Sequence, residues 1–288
     1  NLREFDFYGQ KYRHSFTDLE LTTPLQNCVF PTCLREFSLR AAFSDPIQIP
    51  FGLHRLIQHL TMLEVFELEY VSLAEDEPSP LFIALAKCSH LTTIKLVGCF
   101  HSKSLMDDLA YLQCPHLETL YMVGRLHFTA ANALNTLWDK LALKKLVLRG
   151  CFQEGESQPL FAGFSALTQL KWLDLGENQL KDDDVKQLME ACALLPNLVS
   201  ICLVGNQIES DRYLLLPGLK TLLVFNNPVG NNEEGMVALI EASSLTSLVF
   251  SRSGQQSDAS ALAIKRNRKK SVTLETLITQ FATSEGPM

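Results

Sequence analysis

Apolar residues in this chain fall on a spacing that neither one long helix nor one long strand would produce. The segment Leu170-Lys-Trp-Leu173-Asp-Leu175-Gly-Glu-Asn178-Gln-Leu180 reads L-x-x-L-x-L-x-x-N-x-L. The same frame returns at Leu198, Ile201, Leu203, Asn206 and Ile208, and at Leu219, Leu222, Val224, Asn227 and Val229. Cysteine takes the asparagine position after Leu91, Ile94 and Leu96 (Cys99) and after Leu143, Leu146 and Leu148 (Cys151). Within L-x-L the apolar residues alternate at period two, which predicts a short strand that buries both on one face. The Asn or Cys at position 9 then turns the chain off the sheet, and an Asn amide can satisfy backbone groups of its own and neighbouring repeats. Between frames the period changes to helical. Val185, Leu188, Met189 and Cys192 lie at i, i+3, i+4, i+7, as do Leu53, Leu56, Ile57 and Leu60, and Leu134, Leu137, Trp138 and Leu141. Leu81, Leu85 and Cys88 match the stripe in part, so each repeat is predicted to add a helix with one apolar face.

The frame starts ten times, at Leu2, Leu34, Leu63, Leu91, Leu117, Leu143, Leu170, Leu198, Leu219 and Leu245, at separations of 32, 29, 28, 26, 26, 27, 28, 21 and 26 residues. Self-similarity at such a period marks a repeat array. The pattern resembles the leucine-rich repeat family, and the resemblance covers nearly the whole chain. It implies an α/β leucine-rich repeat solenoid (a horseshoe) of about ten repeats, with a parallel β-sheet on the concave face and α-helices on the convex face. A strand and a full helix in 26–29 residues resembles the ribonuclease-inhibitor-like subtype. The 21-residue repeat at Leu198 leaves room only for a turn, so the outer layer should thin there. The expected organisation is one domain over 1–288. It divides into an irregular N-terminal repeat and cap (1–33), regular repeats (34–256), and C-terminal capping helices with a tail (257–288). Residues 11–31 read as a long loop, and Ser271 is placed to cap a helix carrying Leu274, Leu277, Ile278 and Phe281.

Composition narrows the function. Leucine accounts for 51 of 288 residues, and a charged fraction of 20% with 47% hydrophobic is that of a folded globular chain. The longest apolar run, residues 81–86, is far short of the roughly 18–20 residues of a spanning helix. A net charge of −7 argues against nucleic acid as a general partner. The eight cysteines include no C-x-x-C, and most fall inside apolar patterns, which predicts reduced, buried thiols and a reducing compartment. Cys28 and Cys33 are expected to be buried and inert for the same reason. The sequence carries no H-E-x-x-H, G-x-S-x-G or G-x-x-x-x-G-K pattern. His54 and His59 are five apart and expected at the surface, and Cys99 and Cys151 read as structural. No catalytic residue, cofactor or metal ligand is therefore assigned, and the repeats leave no room for a separate catalytic domain.

Function then falls to the residues between the leucines. In a parallel stack, positions 3, 5, 7 and 8 form rows along the concave face. The early repeats place Glu4, Asp6, Glu36, Glu67 and Glu69 there, with Arg40 opposing them. The middle and later repeats place Lys95, Tyr121, Val123, Lys145, Val147, Arg149, Trp172, Asp174, Val204, Leu223, Phe225 and Val249 there, and these twelve form the expected partner-binding surface. Aromatic residues at solvent-facing strand positions match the types that dominate interface energetics, and the acidic-to-basic change would orient a charged partner. The resemblance implies a non-enzymatic module that binds another protein. The irregular repeats resemble effectors that bacteria deliver into the host cytosol; ubiquitin-ligase adaptors and innate-immune receptors carry similar repeats. A monomer is expected, and the basic run over 265–270 is expected to be a solvated face near a helix end.

Overall fold

The structure is a computed structural model that describes residues 4–9, 32–41, 47–49, 53–73, 78–99, 111–124, 138–139, 141–152, 161–232, 235, 239, 244–251, 261–265 and 272–273. In chain order the strands begin with β1 (Glu4–Gly9), β2 (Glu36–Ala41), β3 (Ile47–Ile49), β4 (Val65–Glu69), β5 (Val71–Leu73) and β6 (Thr93–Val97). They continue with β7 (Thr119–Val123), β8 (Lys145–Arg149), β9 (Trp172–Asp174), β10 (Ser200–Cys202), β11 (Thr221–Leu223), β12 (Ser247–Ser251), β13 (Ala261–Lys265) and β14 (Val272–Thr273). Each of the ten frames yields one strand starting at position 3. Those strands pair in parallel in sequence order, while β3 and β5 form a small parallel pair beside the sheet. The register never slips: Lys145 faces Trp172, Val147 faces Asp174, and Ser200 faces both Trp172 and Thr221. The fold is a leucine-rich repeat solenoid of the α/β class.

Three ladders enforce that register. At the foot of each strand, the N–H groups of positions 2 and 3 donate to the position-2 carbonyl of the preceding repeat. Lys144 and Lys145 do so on Glu118 at 2.8 and 2.9 Å, and the pattern recurs at all eight interfaces from β2 to β12. The second ladder is the core. Leu170, Leu173, Leu175 and Leu180 are all buried, as are their counterparts, in one hydrophobic cluster that runs from Leu34 to Phe250. The third is the position-9 ladder expected from the sequence. Asn206 accepts from Asn178 N and Leu180 N, each at 3.0 Å, and donates to Leu175 O at 3.0 Å and Leu203 O at 2.9 Å. Asn178 accepts from Cys151 N at 2.7 Å and donates to Leu148 O at 2.6 Å, and Asn227 donates to Leu203 O at 2.8 Å. Where cysteine replaces asparagine only the donor survives: the Cys99 thiol donates to Leu68 O at 3.2 Å and the Cys151 thiol to Met122 O at 3.4 Å.

On the convex side α1 (Leu53–Ile57), α2 (Pro78–Leu85) and α3 (Asp182–Cys192) are described along their length, and Trp138, Phe161, Gly235 and Leu239 are helical as well. Val185, Leu188, Met189 and Cys192 all face the core as the stripe predicts. Asp184 turns back to accept the Lys181 N–H at 2.9 Å, closing the first turn of α3. The helix at Leu53 ends at Ile57 and does not reach Leu60, which is nevertheless buried. Trp138 and Leu141 are buried, while Leu134 and Leu137 lie outside the described residues. After Ile208 the short repeat carries turns and no helix, as its length requires.

The C-terminal region differs from expectation where it is described. Residues 261–265 are strand, not helix: β13 pairs antiparallel with β12, and β14 pairs antiparallel with β13. The cause is the sheet itself, because β12 presents a row of backbone donors and acceptors that a helix could not satisfy and a returning strand can. Val272 and Thr273 are therefore in strand where a helical first turn was expected, and residues 274–288 lie outside the described residues.

Candidate functional site on the concave face

Register brings the twelve expected residues onto one sheet face, but exposure divides them. Lys95, Tyr121, Val123, Lys145, Arg149, Trp172 and Phe225 are partly exposed. Val147, Asp174, Val204, Leu223 and Val249 are buried, which corrects the expectation that all twelve meet solvent. For Val204, Leu223 and Val249 the physical reason is a second apolar cluster, built on the concave side of the sheet and separate from the main core. Cys202, Val204, Leu223 and Val249 form it, with Trp172 and Phe225 packed against it. Positions 5 and 7 on neighbouring strands sit close enough that apolar side chains cover one another and leave only the large aromatic edges outside.

Beside this cluster lies a charged group of unusual depth. Asp174, at position 5 of β9, is 2% exposed. Arg149 reaches across from position 7 of β8, placing Nη2 2.6 Å from Asp174 Oδ2 and 3.9 Å from the Cys202 sulfur. The other carboxylate oxygen accepts the Gly176 N–H at 2.9 Å. Gly176 gives the guanidinium its passage, since a Cβ there would stand 3.2 Å from Arg149 Nε and 3.2 Å from Asp174 Oδ1. Burial works against the charge on Arg149, but Asp174 together with Cys202 and Tyr121 outweighs it, so the Arg149 pKa lies above its ordinary value. On the next row Lys145 Nζ stands 5.7 Å from the Trp172 ring centroid, a cation–π contact between directly paired residues.

The acidic end of the face is less acidic than the sequence suggests. Arg40 Nη2 lies 3.0 Å from Glu67 Oε2, and its Nε lies 3.8 Å from Glu69 Oε2. Burial, which outweighs the attraction of Arg40, holds the Glu69 pKa above the usual carboxylate value. Glu4 and Asp6 lie in β1, whose side chains are outside the described ones. The thiols offer no nucleophile here: burial raises Cys202, and it pushes Cys99, Cys114 and Cys192 up to about 12. Cys33 is exposed, contrary to expectation. His59 is exposed in the turn after α1 and His54 is partly exposed. Among the described residues, no three His, Cys, Asp or Glu side chains are grouped to hold a metal ion, and no helix is long and apolar enough to cross a membrane.

Sequence reasoning missed two features. The second apolar cluster had a visible sign in Cys202, an apolar residue at position 5. The other is position 8, where Tyr70, Gly98, Gly124, Gly150, Glu177, Gly205 and Asn226 all have positive φ, from 53° to 113°. Its sign was the recurring glycine at that position.

No family model matches the chain, and no curated protein does. Among solved structures it is similar to internalin C2 from Listeria monocytogenes, at 22% identity over 74% of this chain and 80% of that one, with a TM-score of 0.46. A Bacteroides fragilis protein is 16% identical over 68% and 67%, with a TM-score of 0.45. TLR13, solved as a complex with ssRNA13, is 20% identical over 68% of this chain and 26% of its own, with a TM-score of 0.44. The assignment of the fold rests on the strand register and the position-9 ladder.

Proposed function

We propose that the chain is a non-enzymatic interaction module that docks a partner protein on its concave sheet face, across β6 to β12. One observation carries this: Trp172 and Phe225 stand partly exposed on an apolar cluster that is not part of the main core. A folded chain has no structural need for a second cluster on the wrong side of its sheet, and large aromatic edges left over such a floor suit a partner's side chains. Tyr121, Val123, Lys95 and Lys145 would frame the contact, while Val147, Asp174, Val204, Leu223 and Val249 would support it from beneath. Among the described residues seven cysteines are free thiols and six of them are buried, which supports a reducing, intracellular setting. The irregular repeats favour a bacterial effector acting on a host protein, as a monomer of ribonuclease-inhibitor-like build, over an adaptor or immune-receptor fragment.

The test is affinity capture from host-cell lysate with the wild type and a Trp172→Ala/Phe225→Ala variant. Proteins retained by the wild type should be lost by the variant, with about 2–4 kcal/mol of binding removed by the Trp172 change alone. Because Trp172 packs on the cluster, its melting temperature should fall modestly. Identical capture by both proteins would overturn the proposal.

A further inference from the structure

The feet of β8 to β11 carry a charge opposite to that of the whole chain. At positions 2 and 3 of these four frames stand Lys144 and Lys145, Lys171 and Trp172, Val199 and Ser200, and Lys220 and Thr221, with no carboxylate among them. Lys144, Lys171, Val199 and Lys220 are exposed. The frame before supplies one acid at these positions, Glu118, which pairs with Lys144. The one carboxylate within β8 to β11, Asp174, is buried against Arg149 and the Gly176 N–H. Lysine therefore dominates this strip while the chain as a whole carries −7. Two apolar groups interrupt it: Trp172, paired with Lys145, and Val199, which is 41% exposed between Lys171 and Lys220.

We propose that the feet of β8 to β11 form a dock for an acidic segment of the partner protein, with its carboxylates on Lys145, Lys171 and Lys220 and its apolar side chains on Trp172 and Val199. This rests on the concave-face reading, since Trp172 belongs to both. The strip spans three strand spacings, roughly 14 Å, the length of about four extended residues. Four or five residues mixing Asp or Glu with aromatic or aliphatic side chains satisfy both sets of groups. A polyphosphate backbone would meet only the lysines, and the overall negative charge would oppose its approach.

The probe is a phage-displayed random dodecapeptide library selected on the full chain, with enriched peptides synthesised and titrated calorimetrically. Expected are peptides that need Trp172 and carry two or more acidic residues near an apolar one. Lys171→Glu/Lys220→Glu should weaken them at least tenfold without lowering the melting temperature, because both side chains are exposed, and about 0.5 M salt should erase most of that difference. Peptides that need Trp172 but show no acidic bias and ignore the double reversal would overturn the dock and leave the concave-face reading intact. Failure to recover any Trp172-dependent peptide would remove both. A twelve-base oligothymidylate that binds as tightly as the acidic peptides would also overturn the dock.

Discussion

Position 8 of the frame turns the chain out of the sheet through a left-handed residue, and its N–H still reaches the next repeat: Gly150 donates to Gly176 O at 2.9 Å and Glu177 to Val204 O at 2.7 Å. Glycine adopts that conformation without cost, whereas a side chain there costs about 1–2 kcal/mol. Glu177→Gly, at φ 60°, should therefore raise stability by up to about 1 kcal/mol, after allowing for the greater freedom of glycine in the unfolded chain, as read by urea denaturation. Position 9 works in the other direction. Asn206 makes five hydrogen bonds in a site 5% exposed, so Asn206→Ala should cost about 2–4 kcal/mol by leaving buried backbone groups without partners. A loss below 1 kcal/mol would mean that the ladder is not a main support of the fold. The asparagine ladder was legible because the residue type recurs at a fixed position. The left-handed turn was equally present in the recurring glycines, but Tyr70, Glu177 and Asn226 break the pattern and hide it.

Elements were legible in proportion to how far local pattern decides them. The ten frame strands and the buried stripe of α3 follow from period two and period 3.6, whereas β3, β5, β13 and β14 lie outside the frame. The helix at Leu53 stops early because its last apolar residue, Leu60, can be buried from a turn as well as from a helix. The burial of Asp174 was not legible at all. It depends on Arg149 one strand away and on the missing side chain at Gly176, and no one-dimensional pattern joins those three. Their coupling gives a prediction at this scale. Arg149→Met leaves a buried carboxylate without its partner and should cost about 2–3 kcal/mol. Adding Asp174→Leu should recover most of that loss, since an apolar pair joins the neighbouring cluster. Additive losses in denaturation midpoints would show that the two residues do not act as a pair.

Among the described residues the main core is one cluster from Leu34 to Phe250, with Cys88, Cys99, Cys114, Cys151 and Cys192 along it and Cys202 in the concave cluster beside it, and these thiols serve as internal reporters. Burial raises Cys88, Cys99, Cys114, Cys151, Cys192 and Cys202, so at pH 8 each is held in the unreactive thiol form while folded. Iodoacetamide should modify Cys33 in the native protein and reach these six only on unfolding, in a single urea transition read by mass spectrometry. Labelling in separate steps would mean that repeats open independently, and rapid native labelling of a buried thiol would revive an enzymatic role.

The direction of β13 has a consequence for assembly. Nine successive parallel pairings give the sheet a polarity, and any such stack offers its last strand as a template for one more parallel strand, including one from another copy. Because β13 returns antiparallel and is followed by a strand of only two residues, that template is consumed by the chain itself. The second reversal returns β14 to the original direction, so what works against head-to-tail addition at this edge is length, because a strand of two residues offers little backbone to a further copy.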